Sequence, residues 1–345
     1  MKMTMQERAD EDIGIARKVA FLSRPAAYPG QVDAVRVIET HMSWVFLADG
    51  MAYKLKKPVR LPYRDFSSVD ARRINSEDEL RLNRRLAHDI YLDVVPLTEE
   101  VDGKLALDGA GPAVDWLVKM RRLPEAAMLD RLIVEHVVPM TAIDELVVRL
   151  ARFYREAPVV EWSPEEYLCR LADHVRADAA ELMDGRYGLP VDRVRAILAA
   201  QTAFLDRAAD RFEQRVRERR IVEGHGDLRP EHVCLVPEPA VIDCLEFNRE
   251  LRLLDAVEDV SFLVLECERL GDAKLATYLL DTFLAASGDS PDIGLVNFYR
   301  SRRAMVRAKT AAWRLHDAEV ADRGKWFARA LSYLDIAQDC AAALA

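Results

Sequence analysis

At 345 residues the chain has room for roughly two domains or lobes of about 150 residues each. Half of its residues are apolar and 31% are charged, with 14 Gly and 15 Pro, so disordered, collagen-like and low-complexity classes are excluded. The formal net charge of −9 argues against a general nucleic-acid binder, which needs a basic surface to displace counterions. A local basic pocket is still compatible with it. The five cysteines, Cys169, Cys234, Cys244, Cys267 and Cys340, are odd in number and include no C-x-x-C pair. That pattern disfavours a disulfide framework or a zinc knuckle and favours a reducing compartment. The N-terminal MKMTMQERADEDIGIARK carries charge where a secretory leader needs apolar residues, and no apolar run reaches about 18 residues. The expectation is a cytoplasmic protein with no membrane association.

In chain order, residues 35–60 alternate apolar and polar and are rich in β-branched and aromatic types (AVRVIE, then WVFLADGMAYKLKKPV), which predicts antiparallel strands turning at Asp49-Gly50. A helix follows from about Ser68 to His88. YLDVVPLTEEV, KLALDG and DWLVKM read as further strands. After Pro124 helical patterns dominate, over 141–157, 164–184, 190–219, 253–286 and 292–343 with breaks, and one strand-like island, HVCLVPEPAVIDCLEF, spans 232–247. The sequence therefore predicts two lobes, 1–122 rich in strands and 123–345 mainly helical with a hairpin inside it. Charge is uneven: residues 51–85 carry a net of +5, and residues 221–270 a net of −8. Such a pair of segments suits a polyanion held together with cations.

The stretch His225-Gly226-Asp227-Leu228-Arg229-Pro230-Glu231-His232, followed by Val241-Ile242-Asp243, carries the most chemistry. Asp227 lies in a loop punctuated by Gly and Pro, where a carboxylate can be rigid yet accessible. If Val236 pairs with Val241 in a hairpin, His232 falls opposite Leu245 and shares a face with Asp243, about 7 Å away or less. One loop and one hairpin would gather Asp227, His232 and Asp243. Phosphoryl transfer needs such a set: a carboxylate for the attacking hydroxyl and ligands for ions that bridge phosphates.

HGDLRPEH followed by VIDCLEFN resembles the H-G-D-x-x-x-x-N and I/F-D signatures of the aminoglycoside phosphotransferase family, small-molecule kinases similar in fold to protein kinases. The segment Glu39-Thr40-His41-Met42-Ser43, the AYKLKKPV run and ELRLNRRLA resemble that family's phosphate loop, lysine strand and paired helix. The match covers most of residues 30–270. The resemblance implies an α+β, bilobal protein-kinase-like fold, with a small antiparallel-sheet N-lobe that binds nucleotide and a larger helical C-lobe.

Lys54 and Lys56 are two apart on a predicted strand and so face one side, with Lys57 facing the other. Ala52-Tyr53-Lys54 matches the family's lysine position best, which makes Lys54 the phosphate-binding lysine and Lys56 a reserve. On a helical wheel of about 100° per residue, Asn75, Glu79, Leu82 and Leu86 form one stripe, Glu77 points away and Asp78 lies at the edge. A carboxylate on a core-facing stripe is costly unless paired, so Glu79 is the expected partner of Lys54. No Walker-type or Rossmann glycine motif is present. Ser43 and neighbouring backbone N–H groups stand where the phosphate loop belongs, and the resemblance places the adenine edge near Met120 to Arg122. Asp259 resembles an acidic position that braces the catalytic loop, whereas Asp255, Glu258 and Glu266 either meet a cationic substrate or face solvent, the second being the preferred reading.

One residue departs from the pattern. The family's metal-binding Asn, five residues after the catalytic Asp, is His232 here, and imidazole is a poor ligand for Mg²⁺. Asp243 would carry more of the coordination. The resulting expectation is an ATP-dependent phosphotransferase using Mg²⁺ or Mn²⁺ to phosphorylate a hydroxyl of a sugar, aminoglycoside or amino alcohol, with Asp227 as catalytic residue. The alternative is a nucleotide-binding pseudokinase.

Overall fold

The computed structural model describes residues 14–61, 64–316 and 322–344. The charged N-terminal stretch through residue 13, and residues 317–321 of the last helical pattern, lie outside them. In chain order the elements begin with α1 (Ile15–Leu22), β1 (Val35–Glu39), β2 (Ser43–Ala48), β3 (Met51–Lys56), β4 (Arg60–Leu61), β5 (Arg64–Asp65) and α2 (Val69–Ala87). Three strands follow, β6 (Tyr91–Glu99), β7 (Leu105–Leu107) and β8 (Ala113–Arg121). The helices α3 (Leu129–Val134), α4 (Met140–Glu156), α5 (Pro164–Leu182), α6 (Val191–Arg207) and α7 (Ala209–Arg217) come next. Short strands β9 (Ile221–Glu223), β10 (Val233–Cys234), β11 (Ala240–Val241) and β12 (Leu253–Asp255) lead into α8 (Ala256–Arg269), α9 (Ala273–Ser287), α10 (Ile293–Trp313) and α11 (Arg323–Ala342).

Contacts divide the chain into two compact units, one of Met1–Met128 with His232–Glu250, the other of Leu129–Glu231 with Leu251–Ala345. The first is built on a six-stranded antiparallel sheet ordered β1-β2-β3-β8-β6-β7. The β2–β3 hairpin turns at Asp49-Gly50 as its sequence predicts, with Ala48 opposite Met51 and Asp49 at φ 49°, a left-handed conformation that a short polar side chain tolerates. Alternate residues Phe46, Tyr53, Leu55, Leu97 and Leu117 fill one core with Leu22 and Tyr28. The helix α2 starts where Ser68 accepts the Ala71 N–H at 3.1 Å, one of the donors that helix geometry leaves unpaired. Its fully buried Arg72 forks onto Asp115 of β8, at 2.8 and 2.9 Å, and Lys18 of α1 takes the same carboxylate at 2.9 Å. That triad ties α1 and α2 to the sheet.

The sequence reading placed residues 232–247 with the helical lobe. In the structure they group with the sheet: Leu235 N–H donates to the Ala127 carbonyl at 2.9 Å, and Cys244 N–H to Asn83 of α2 at 2.8 Å. The hairpin register also differs from the expected one. Val233 faces Val241 and Cys234 faces Ala240, so only two residues per strand pair. Pro237 and Pro239 lack the N–H that a longer ladder requires, which lengthens the turn.

The second unit is helical. One core joins α5, α6, α8, α10 and α11 through residues such as Leu182, Ile197, Leu265, Met305 and Tyr333, and a second centres on Phe204, Phe212, Phe298 and Tyr299. The helix expected from 253 begins later, because Leu253–Asp255 pairs antiparallel with β9. A short, fully buried apolar run has no period by which to tell strand from helix. Asp255 then caps α8, accepting the Val257 N–H at 2.9 Å.

Candidate active site

β3 leaves the core pattern at its end, and the two lysines that its period aligns converge on one carboxylate. Lys54 Nζ lies 2.8 Å from Oε1 of Glu79, and Lys56 Nζ lies 2.5 Å from Oε2. Lys57 points elsewhere, onto Glu39 and over the Trp44 ring. Glu79 is fully buried, whereas Glu77 and Asp78 pair with Arg73 and Arg81 on the outside of the helix. Each lysine also has a second acid: Lys54 reaches Asp243 Oδ1 at 3.0 Å, and Lys56 reaches Glu246 Oε1 at 3.1 Å. Burial works against the Lys54 charge, but Asp243, Glu79 and Glu246 together hold its pKa well above the usual lysine value. Burial likewise opposes ionisation of Glu79, and Lys54 and Lys56 more than offset it, so that carboxyl is lowered. Lys54 and Glu79 are thus both ionised at neutral pH.

Asp243 follows β11 at φ 60°, and its N–H donates to the Tyr91 hydroxyl at 3.2 Å. Asn83 holds the next residue, accepting the Cys244 N–H while its own amide donates to the Glu79 carbonyl at 2.9 Å. Those bonds fix Asp243 relative to the lysine pair. His232, 7% exposed, brings Nε2 to 3.5 Å from Asp243 Oδ2. The pair therefore meets despite the different register: the Ile242 N–H donates to the His232 carbonyl at 2.9 Å, which sets Asp243 one residue beyond.

Ser43 opens β2 opposite Lys56, is nearly fully buried, and is tied to Thr40, whose hydroxyl accepts its N–H at 3.0 Å. Met120 pairs with both Ala52 and Tyr91, and Arg122 N–H donates to the Gly50 carbonyl at 2.9 Å. The structure thus assembles Lys54, Lys56, Glu79, Asp243 and His232 into one constellation. Ser43 is adjacent to it through the β2–β3 ladder, and Met120 and Arg122 lie along β3's other neighbour and its end.

In the helical unit, Asp227 follows Gly226, whose φ of +84° suits a residue without a Cβ. Buried Asp259 of α8 braces this loop as expected, accepting the N–H groups of His225 at 2.7 Å and Gly226 at 3.0 Å and the Tyr154 hydroxyl at 3.0 Å. A Cβ on Gly224 would come within 2.7 Å of that carboxylate, so the approach requires glycine. Arg229 Nη2 lies 3.0 Å from Asp227 Oδ2, and its other nitrogen is on Glu231. Arg303 of α10 donates to the Gly226 carbonyl at 3.2 Å.

The expectation that Asp255, Glu258 and Glu266 face solvent is overturned: all three are at most 1% exposed. Arg215 forks onto Asp255, Arg302 and Arg303 share Glu258, and Arg269, Arg307 and Tyr333 surround Glu266. Arginines remote in sequence satisfy them, which no local pattern reveals. Asn83, Tyr91 and Arg303 were likewise not singled out. Asn83 alone left a trace, as a polar residue one helical turn beyond Glu79.

Among the described residues no group of three or more His, Cys, Asp or Glu is arranged to hold a metal ion. The hard donor beside the lysines is the Asp243 carboxylate, 45% exposed at its side chain. One carboxylate supplemented by phosphate and water suits Mg²⁺, which seldom takes an all-protein cage. Also among the described residues, no helix is long and apolar enough to cross a membrane, and the five cysteines are free thiols.

No protein-family profile matches the chain. Uncharacterized proteins of Mycobacterium bovis and of two Mycobacterium tuberculosis strains are each 33% identical over 288 residues, which is 80% of this chain and 54% of theirs. The chain spans about half the length of these curated relatives. Among solved structures, an aminoglycoside phosphotransferase complexed with GDP and kanamycin superposes with a TM-score of 0.51 at 15% identity, covering 93% of this chain and 98% of that one. Choline kinase LicA from Streptococcus pneumoniae gives 0.52 at 14% identity over 96% and 99%. An aminoglycoside phosphotransferase in ternary complex with AMP-PNP and hygromycin B gives 0.51 at 13% identity over 94% and 99%. The chain has the fold of the aminoglycoside phosphotransferase family, an α+β, protein-kinase-like fold, as its HGDLRPEH and VIDCLEFN segments lead one to expect.

Proposed function

We propose that the protein is an ATP-dependent phosphotransferase that moves the γ-phosphate to a hydroxyl of a small molecule. One observation carries the reading: Lys54 Nζ lies between Glu79 at 2.8 Å and Asp243 at 3.0 Å, although Asp243 is 189 residues away in sequence. An ammonium braced by a buried acid, beside a half-exposed carboxylate, is the arrangement phosphate binding requires. Lys54 binds the α- and β-phosphates, and Glu79 keeps its charge and direction. Ser43 and nearby N–H groups donate to the phosphates, and the Met120 to Arg122 backbone borders the adenine. Asp243, with His232 beside it, would hold Mg²⁺ or Mn²⁺, which when bound would neutralise phosphate charge.

Asp227 aligns the acceptor hydroxyl and takes its proton as the hydroxyl oxygen bonds to the γ-phosphorus and the bond to the β,γ-bridging oxygen breaks. Arg229 holds the Asp227 carboxylate in one rotamer. Catalysis of this kind is mostly positioning and charge stabilisation. Asp227→Asn should keep ATP affinity, measured by calorimetry, and lower turnover by about 10²–10⁴-fold in an ADP-release assay over a panel of hydroxyl compounds. Equal turnover in the two proteins removes Asp227 from its role.

His232 supports a second reading, a nucleotide-binding pseudokinase, because its imidazole occupies the position beside Asp243 where an oxygen ligand is expected. Turnover appearing only in His232→Asn would favour it.

A further inference from the structure

Two arginines near the Asp227 loop share one acid between them. Arg302 and Arg303 of α10 are 8% and 5% exposed, and both draw on one carboxylate oxygen, Oε1 of Glu258. Beyond that shared oxygen, Nε of Arg302 and Nη2 of Arg303 are buried with no hydrogen-bond acceptor among the described residues. Buried donors are normally satisfied, and a guanidinium left short of acceptors is costly. The contrast within the same unit is Arg215, whose NH groups reach both Asp255 and Asp289 at 2.6–2.8 Å.

The surroundings are also cationic. Half-buried His174 of α5 is pushed down to about 3, first by burial and then by Arg302, Arg170, Arg303 and Lys309. Burial, and then Arg303, push Arg302 down to about 10, whereas the two acids beside Arg215 raise it against burial. Of the nearby carboxylates, Asp178 takes Lys309, Asp227 takes Arg229, and Asp259 is committed to the His225 and Gly226 amides and to Tyr154. What this place lacks is a negative charge with several acceptor oxygens. Because Arg303 holds the carbonyl of Gly226, the gap lies next to the residue proposed to align the hydroxyl.

We infer that the hydroxyl acceptor carries an oxyanion, a phosphate or a carboxylate, and that Arg302 and Arg303 bind it with His174 and Arg170 alongside. The inference rests on the phosphotransferase reading for its account of the hydroxyl, but the anion site stands on the arginines alone. A planar guanidinium forks onto either oxyanion, and neutral His174 adds one N–H donor. The overall negative charge of the chain, which favours a cationic acceptor, is overruled by the local excess of arginine.

The test uses the full chain with AMP-PNP and Mg²⁺ present to occupy the nucleotide site. The His174 ring-proton resonance, assigned with His174→Gln, is followed by NMR as inorganic phosphate, or separately acetate, is added at constant ionic strength set with chloride. The expected result is a saturable shift with one or both oxyanions and none with chloride; the tighter of the two identifies the acceptor's charged group. Arg302→Gln should weaken the effect by about tenfold or more, and Arg302→Lys by less. If Arg302→Gln does not fold, Arg302→Lys together with the wild-type titration decides. A resonance that does not move, or moves equally with chloride, overturns the inference, as does an Arg302→Gln protein with unchanged affinity. Turnover separates this from the phosphotransferase reading. ADP release with choline or kanamycin, and none with glycerol 3-phosphate or glycerate, overturns the oxyanion and keeps the phosphotransferase. A saturable His174 shift with no turnover on any hydroxyl compound keeps the anion site and removes the phosphotransferase.

Discussion

Lys56 and Glu79 form a fully buried ion pair of the sheet unit, with Nζ 2.5 Å from Oε2 and both side chains at most 1% exposed, while Lys54 takes the other oxygen of the same carboxylate. The two lysines therefore divide one task. Lys56, satisfied by Glu79 and Glu246, holds the acid in place; Lys54, 17% exposed, is the one with access to a ligand. Lys56→Met should destabilise the protein by about 3 kcal/mol, because it leaves buried charge short of a partner. Lys54→Met should cost less stability and remove most ATP affinity. Urea unfolding and ATP calorimetry on the two variants check the division, and a larger loss of ATP affinity in Lys56→Met would reverse it.

Asp259 gathers three donors around the loop that presents Asp227, so its effect on turnover should exceed its effect on binding. Asp259→Asn keeps the shape but loses charge-assisted acceptance, which leaves the His225 and Gly226 amides poorly satisfied. A loss of about 1–3 kcal/mol in stability is expected. If Asp259 positions Asp227, kcat should fall by about 10²-fold while KM for ATP is unchanged, since small misplacements of a reacting group are that costly. A purely structural role would lower the variant's active fraction without changing kcat per folded molecule.

The Arg215 network makes the helical unit sensitive to acid. Burial opposes ionisation of Asp289, yet the hydrogen bond and charge of Arg215 hold its carboxyl below the ordinary 3.8. A carboxyl lowered on folding contributes stability above its unfolded pKa and loses that contribution as pH falls through the folded value. Stability should therefore decline below about pH 4. Asp289→Asn should cost about 1–3 kcal/mol near neutrality, because Arg215 Nη1 and Nη2 lose charge-assisted hydrogen bonds to a buried carboxylate, and should flatten the decline. Urea midpoints measured from pH 7 to pH 3 decide it; an unchanged acid slope in the variant would assign the decline to other carboxylates.

What the sequence made legible was periodic or contiguous. The two-residue spacing of Lys54 and Lys56, the stripe through Asn75, Glu79, Leu82 and Leu86, and the Asp49-Gly50 turn each translate directly into geometry. The HGDLRPEH and VIDCLEFN segments carried the fold by resemblance. What was not legible depends on partners remote in sequence. Asp255, Glu258 and Glu266 look solvent-facing on a wheel until Arg215, Arg302, Arg303 and Arg307 are brought to them from other helices. The hairpin register went astray because two prolines in the turn remove ladder donors, which alternation alone does not reveal. The same limit hid the hairpin's allegiance to the sheet, fixed by Asn83 and Tyr91.

His232 is where the fold's usual chemistry and this chain's chemistry separate. Its ring nitrogen lies 3.5 Å from Asp243 Oδ2, so a cation held by Asp243, as proposed, would share that carboxylate with the imidazole. An asparagine of smaller volume would offer a carbonyl oxygen, a harder donor that Mg²⁺ prefers. His232→Asn should therefore tighten Mg²⁺ in the nucleotide complex by about tenfold, the size of effect that groups around a metal site commonly exert. The gain should be smaller for Mn²⁺, which discriminates less sharply against nitrogen. Turnover titrated against each ion in wild type and variant measures both effects, with binding of the ATP–metal complex as an independent readout. Identical metal dependence in the two proteins would mean that His232 orients Asp243 without approaching the ion, and the weight of coordination would rest on Asp243 alone.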